Sequence, residues 1–135
     1  VVDLMTLFSP QAHPHGMSRE RFTALFTEDT HVVFAFHGYA GAVHHLLHGR
    51  PNADRFHVRG YVEEGTTTTP FDMVVLNGMS RFHLAMEALR RSRLVPKHLG
   101  DSLRACEEML ERHRRYVREH FEDMPEIRDW KWDSP

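Results

Sequence analysis

The sequence predicts an α/β domain whose sheet is mainly parallel. Two observations lead to this fold class. Short apolar segments rich in β-branched and aromatic residues alternate with longer segments that carry apolar residues at helical spacing. In addition, residues 31–36 form a nearly continuous apolar run between turn residues, which is typical of a strand covered on both faces. Strands that alternate with helices favour parallel pairing through helical crossovers.

The first elements are a predicted strand and a short helix. Residues 1–7 are mostly apolar or β-branched, and the prolines and glycine that follow end regular structure. Ser18 is a suitable N-cap, because the next residues place Phe22, Leu25 and Phe26 on one apolar stripe. We therefore expect a strand at the N-terminus and a helix that begins at Ser18.

The middle of the chain predicts two more strands on either side of a helix. After the apolar run at 31–36, residues 40–48 indicate a helix that is closed by a Gly-Arg-Pro turn. Residues 56–62 then indicate a third strand, followed by a polar loop.

Two long helices are predicted for the remaining chain. Thr69 is a good cap and Pro70 a good first residue for a helix that is interrupted at Gly78 and ends near Pro96. A last helix is predicted over residues 99–121. We expect both tryptophans of the tail to pack back onto the body: Trp130 and Trp132.

The bulk composition limits the classes of function. The 135 residues suffice for one compact domain, so we predict a single domain over 1–135. With 17 basic and 19 acidic residues, the chain predicts no nucleic-acid or membrane partner. The lone cysteine, Cys106, excludes an internal disulfide, fits the cytoplasm and is expected to be small and buried. The chain starts in an apolar run without methionine, and we expect a fragment of a longer protein.

One candidate site is an anion site beside the predicted third strand. His57 and Arg59 alternate along that strand and share a face, and a threonine run leads into the next helix, whose free amides suit an anion. The opposing interpretation is that threonine caps the helix and that Arg59 pairs with Glu63 or Asp72. The predicted anion or effector residues are His57, Arg59, Thr66, Thr67, Thr68 and Thr69.

The histidines offer a second candidate, a metal site. His44 and His48 are four residues apart, which is the spacing of helical zinc ligands. No glutamate follows His44 as the metalloprotease pattern requires, and a third ligand would have to come from elsewhere. We therefore interpret these histidines as surface or packing residues and predict no metal ligands and no catalytic residues in this chain.

Several segments in order carry a family resemblance. They read FHGY at 36–39, HVRGY at 57–61, GTTTTPFDM at 65–73 and NGMSRFHLAM at 77–86, with HPHG at 13–16 and PEIRDW at 125–130. Together they resemble the C-terminal domain of phosphoketolase. That resemblance implies a three-layer sandwich like the C-terminal domain of transketolase, lacking its first strand and helix. The missing strand would leave open sheet edges, so we expect a homodimer or self-association.

The resemblance also implies what the parent enzyme does. Phosphoketolases use thiamine diphosphate and magnesium to cleave xylulose 5-phosphate or fructose 6-phosphate with phosphate, giving acetyl phosphate and an aldose phosphate. The Gly-Asp-Gly motif that helps to ligate this magnesium is absent here, so both cofactors are expected outside this chain. We expect a noncatalytic domain whose Arg81 and His83 contact the catalytic domains. The alternatives are a regulatory anion- or nucleotide-binding module and, ranked below it, a histidine-based metal-binding protein.

Overall fold

The computed structural model describes residues 3–62, 67–93 and 97–131. Its contacts divide the chain into two compact units, Val1–Tyr61 and Val62–Pro135. The first unit contains helices and a parallel sheet, and the second is helical in its described part. The α/β class with parallel strands is thus confirmed.

The first unit is built on a helix–strand–helix–strand sequence. Its elements are α1 (Arg19–Phe26), β1 (Val32–Phe36), α2 (Ala40–Leu46) and β2 (Phe56–Gly60). The two strands run parallel, with Val32 opposite Phe56 and Phe36 opposite Gly60. Gly60 is needed for this packing, because a Cβ there would lie 2.4 Å from the backbone nitrogen of Ala40. The crossover helix α2 therefore approaches the sheet closely.

The core of the first unit lies between these helices and one side of the sheet. Its buried residues are Leu7, Met17, Phe22, Val43, Leu46, Leu47 and Phe56. The expectation of a strand covered on both faces is not met for β1, because four of its residues are half-buried and Ala35 is exposed. The reason is that the core packs against the face of β1 that carries Val32, Phe34 and Phe36, whereas Ala35 lies on the opposite face.

Two buried arginines tie the loops of the first unit together. Arg50 donates from Nε to the carbonyl of Leu7 at 2.6 Å and stacks over Phe22, with 4.5 Å between its Cζ and the ring centroid. Arg55 donates from Nη1 to the carbonyl of Phe26 at 2.6 Å and from Nη2 to that of Thr27 at 2.7 Å. These carbonyls end α1 and have no partner within that helix, so Arg55 caps its C-terminus.

The predicted N-terminal strand is wrong where the structure describes it. Leu4–Leu7 form a 3-10 helix, and the Asp3 carboxylate accepts a hydrogen bond from the Met5 amide at 2.9 Å. The physical reason is that an aspartate side chain favours a capped turn, and that the three-residue period buries Leu7. Residues 1–2 of the predicted strand lie outside the described residues.

The second unit contains four described helices. They are α3 (Pro70–Leu76), α4 (Arg81–Arg91), α5 (Leu99–His120) and α6 (Pro125–Arg128). Its core joins α3, α4 and α5 through Val75, Met86 and Leu110. Cys106 packs beside this core but is only half-buried, so it is less buried than expected.

The predicted long helix through Gly78 is in fact two helices. Gly78 has φ +63°, in the left-handed region that favours glycine, and its amide donates to the carbonyl of Val75. This arrangement ends α3, and Ser80 then caps α4 by accepting a hydrogen bond from the His83 amide at 3.4 Å. The glycine therefore terminates a helix where the sequence predicted an interruption.

Candidate functional site

The N-terminus of α3 is bound by a carboxylate from the same unit. The Thr69 hydroxyl donates to Asp123 Oδ1 at 2.5 Å, and the Phe71 amide donates to Asp123 Oδ2 at 3.1 Å. Thr69 Oγ1 also accepts from the Asp72 amide at 3.4 Å, so Thr69 is the predicted cap and Pro70 the predicted first residue. Asp123 therefore already provides negative charge at the positive end of this helix.

A fully buried histidine lies beside this cap. His113 has no exposed surface, and its Nε2 lies 3.5 Å from Asp72 Oδ1 and 3.8 Å from Asp123 Oδ1. Its ring packs edge-on against Phe71, with 5.1 Å between the centroids. Neither ring nitrogen has a hydrogen-bond partner among the described residues. We call Thr69, Asp72, His113 and Asp123 the His113 cluster.

The predicted anion-site residues fall in both units. His57 and Arg59 belong to the first unit, whereas the threonine run belongs to the second. His57 Nε2 lies 2.9 Å from His31 Nδ1, and Arg59 is exposed on β2. The joint use of these residues as one anion site stays a prediction.

Two described threonine hydroxyls already have carboxylate partners. The Thr68 hydroxyl donates to Asp72 Oδ2 at 2.9 Å, and Thr69 donates to Asp123. Thr67 lines the same cavity as these two residues and is exposed. Thr66 and Glu63 lie outside the described residues. The opposing interpretation, in which threonine caps the helix, is confirmed for Thr69. The carboxylate of Asp72 accepts the hydrogen bond of the Thr68 hydroxyl.

Arg81 lies among three aromatic rings. Its Cζ is 4.7 Å from the ring centroids of Phe82 and Trp130 and 5.1 Å from that of Phe71. Burial lowers the pKa of the Arg81 guanidinium from its ordinary value. We call Phe71, Arg81, Phe82 and Trp130 the Arg81 cluster. Trp130 thus contacts the body as expected but stays 44% exposed, and Trp132 lies outside the described residues.

His83 is turned toward the start of its own helix. Its Nδ1 lies 2.7 Å from the hydroxyl oxygen of Ser80, which is itself almost completely buried. His83 is half-buried. The structure thus places Arg81 in an aromatic cluster and His83 in a capping contact, and their role toward other domains stays a prediction.

The histidine pair of the metal hypothesis does not form a helical ligand pair. His44 lies on α2, which ends at Leu46, so His48 lies beyond the helix. Both side chains are exposed. Within residues 3–62, 67–93 and 97–131, no group of three or more histidine, cysteine, aspartate or glutamate side chains is arranged to hold a metal ion.

None of the described helices combines the length and the apolar character that crossing a bilayer requires.

Sequence reasoning missed His113 and Asp123. A signal for His113 was present, because it occupies the helical stripe of α5 between the buried residues Leu110 and Val117. A histidine inside an apolar stripe indicates a buried polar contact. Asp123 had no local signal, since its partners Thr69 and Phe71 are more than 50 residues away in sequence.

Comparison with known proteins covers the whole chain. A family model described as "XFP C-terminal domain" matches residues 1–132. A "Probable phosphoketolase" of Brucella abortus is 56% identical over 138 aligned residues, which cover 100% of this chain and 17% of that protein. Proteins of the same name from Bradyrhizobium diazoefficiens and Nitrosomonas europaea are 54% and 52% identical, and the alignments cover 98% and 100% of this chain.

These alignments cover 16% of the Bradyrhizobium protein and 17% of the Nitrosomonas protein. The chain therefore spans about one sixth of the length of the curated relatives it matches. The family model and the identities agree with the ordered segments quoted above, and the resemblance is confirmed. The chain belongs to the XFP C-terminal domain family.

Proposed function

We propose that this chain is the C-terminal domain of a thiamine-diphosphate-dependent phosphoketolase and supports that enzyme through packing rather than chemistry. The parent reaction joins inorganic phosphate to the two-carbon unit of xylulose 5-phosphate or fructose 6-phosphate. Its products are acetyl phosphate, water and glyceraldehyde 3-phosphate or erythrose 4-phosphate. The observation that carries the proposal is the 56% identity over the whole chain to a protein named for this activity.

The described polar clusters support a noncatalytic role. His113 has no exposed surface, and Asp72 and Asp123 are committed to threonine hydroxyls and to the α3 terminus. The hydrogen bonds of both carboxylates within the unit support a structural rather than a chemical role. Thiamine diphosphate supplies the electron sink for carbon–carbon cleavage when it is bound, and we place it with its magnesium outside this chain. The sequence has no Gly-Asp-Gly motif to ligate that magnesium.

The sheet of the first unit supports packing against further strands. Within the described residues β1 pairs only with β2, so each strand has one unpaired edge. Unpaired edges bind additional strands readily. We propose that the sheet is part of a larger three-layer, Rossmann-like sandwich of the transketolase C-terminal type in a cytoplasmic, dimeric parent. The Arg81 cluster and His83 are proposed to face the catalytic domains.

Acetyl phosphate formation tests this function directly. Four samples are each supplied with fructose 6-phosphate, phosphate, thiamine diphosphate and magnesium. They are the full-length parent, the parent without residues 1–135, this chain alone, and a mixture of the last two. We expect the parent to be active, this chain to be silent, and the deletion to change activity and the oligomeric state in light scattering. Turnover by this chain alone would place the active site here and overturn the proposal.

The regulatory alternative has its own test. Thermal unfolding of the chain with ATP, phosphate or phosphoenolpyruvate reports whether an anion binds, and Arg59→Ala removes the predicted cation. A ligand-induced shift that Arg59→Ala abolishes would support the predicted site at His57, Arg59 and the threonine run. No shift with any of the three anions would leave packing as the remaining role.

A further inference from the structure

The Arg81 side chain is held in place by aromatic rings from three parts of the second unit. Phe71 comes from α3, Phe82 from α4 and Trp130 from the segment after α6. All three centroids lie between 4.7 and 5.1 Å from the guanidinium carbon. Such contacts stabilise the cation and restrict the orientation of its plane.

Arg81 and Arg91 are the half-buried arginines in the described part of the second unit, and of the two only Arg91 has a carboxylate partner there. Within the described part of the chain, no carboxylate or carbonyl accepts a hydrogen bond from Arg81 or forms an ion pair with it, although it is half-buried. Other arginines of this unit do have carboxylate partners: Arg90 with Glu107, Arg91 with Glu87, Arg112 with Glu126 and Arg128 with Asp129. Arg104 and Arg118 also lack a carboxylate partner among the described residues, but both are exposed, whereas Arg81 is half-buried among aromatic rings.

The position of Arg81 does not benefit its own helix. Arg81 is the first residue of α4, where the helix dipole disfavours a cation, and the first turn of α4 contains no acidic residue. Aromatic rings provide no carboxylate or carbonyl oxygen, so among the described residues the N–H edge of the guanidinium has no such acceptor. A carboxylate fits this edge with two parallel hydrogen bonds.

We propose that Arg81 binds an aspartate or glutamate side chain from the part of the parent protein that lies outside residues 1–135. This inference rests on the proposed function, in which this chain packs against the catalytic part. The charge of Arg81 calls for an anion, and a ring of partly exposed aromatic surface around an arginine is typical of the centre of a protein interface. About five sixths of the relatives' length lies outside this chain and can supply the carboxylate.

Zero-length carbodiimide coupling in the full-length parent tests the proposal. The reagent joins an amine to a carboxylate in direct contact, and arginine does not react. This chain has two lysines, Lys97 and Lys131, so few amide bonds can start from an amine within residues 1–135 of the wild type. Arg81→Lys places an amine at the site, and peptide mapping identifies what it joins. Arg90→Lys is the matched control, because Arg90 lies 3.1 Å from Glu107 and its replacement reports the reaction of a known pair.

We expect the Arg81→Lys parent to form an amide bond to an aspartate or glutamate outside residues 1–135, absent from the wild type. Coupling of Arg81→Lys only to carboxylates within residues 1–135 would overturn the proposal. No coupling at position 81, while Arg90→Lys joins Glu107, would also overturn it. This second result is the one expected if a free anion occupies the site. The two proposals fail separately. If deleting residues 1–135 changes activity or oligomeric state but no outside bond forms, only the role of Arg81 is wrong. If the deletion changes neither but the outside bond forms, the contact of Arg81 stands and the supporting role of this chain is wrong.

Discussion

Thr69 and Asp123 are 54 residues apart in sequence, yet the hydroxyl of one donates to the carboxylate of the other at 2.5 Å. The same carboxylate accepts a hydrogen bond from the Phe71 amide, so Asp123, in the segment between α5 and α6, satisfies the first turn of α3. A helix whose first amides bond a carboxylate gains both hydrogen bonds and a favourable dipole interaction. The contact therefore joins the start of α3 to the segment between α5 and α6.

Replacing Asp123 with alanine is expected to destabilise the chain strongly. The substitution removes the acceptor of Thr69 and of the Phe71 amide and leaves His113 with one fewer carboxylate. Hydrogen bonds to charged acceptors in partly buried sites predict a loss of about 3 kcal/mol in the free energy of unfolding. Urea unfolding followed by circular dichroism measures it.

The control for this experiment is Asp129→Ala. Asp129 is exposed and pairs with its neighbour Arg128, so its removal should change the urea midpoint far less. Equal shifts for the two variants would mean that the Asp123 contacts do not stabilise α3.

His113 and Asp72 are expected to be energetically coupled. His113→Leu removes a fully buried imidazole that lies 3.5 Å from Asp72 Oδ1 and 3.8 Å from Asp123 Oδ1, and the loss of its packing and polar contacts should cost about 2 kcal/mol. Asp72→Asn removes the charge of one of these two carboxylates. The double variant should therefore be about 1 kcal/mol more stable than the sum of the single changes predicts.

A double-mutant cycle in urea measures this coupling. His113→Leu combined with Asp101→Asn is the reference, because Asp101 is exposed in the first turn of α5. Additive behaviour in both cycles would show that His113 and Asp72 do not interact.

Arg55 is expected to contribute more to stability than an exposed arginine of the same unit. Arg55→Met keeps much of the buried hydrocarbon but removes the donors to the carbonyls of Phe26, Thr27 and Thr30. Buried carbonyls without donors predict a cost of about 3 kcal/mol. The midpoints of thermal unfolding of Arg55→Met and Arg19→Met check this expectation. Arg19→Met is the control, because it changes an exposed side chain. A smaller loss for Arg55→Met than for Arg19→Met would exclude the capping role.

Signals within one helical turn were sufficient to predict several features. Ser18 accepts a hydrogen bond from the Arg21 amide at 3.2 Å, and Thr69 caps α3 as predicted. Both caps depend on a side chain and an amide three residues later, so the sequence contains the whole interaction. The apolar run at 31–36 also predicts the strand at 32–36, because it differs sharply from the turn residues on either side.

Features that depend on distant partners could not be predicted. The Asp123 cap and the aromatic surroundings of Arg81 each require residues brought together by folding. The N-terminal segment failed for a different reason, since Asp3 provides a local cap that favours a 3-10 turn over the β preference of its neighbours. Strand preference is in any case weaker than such specific contacts.

Acid should weaken the contact between α5 and α6. The pKa of Glu126 is lowered, first by the bond to its own amide at the start of α6 and then by Arg112, 2.7 Å away. Because folding favours the ionised carboxylate, its contribution is present above the ordinary value of 4.5 and is lost as the pH falls through the lower folded value. The urea midpoints of the wild type and Glu126→Gln should therefore differ near neutral pH and converge in acid. Glu108→Gln, on the exposed side of α5, should show no such convergence. A gap for Glu126→Gln that persists in acid would contradict the assignment.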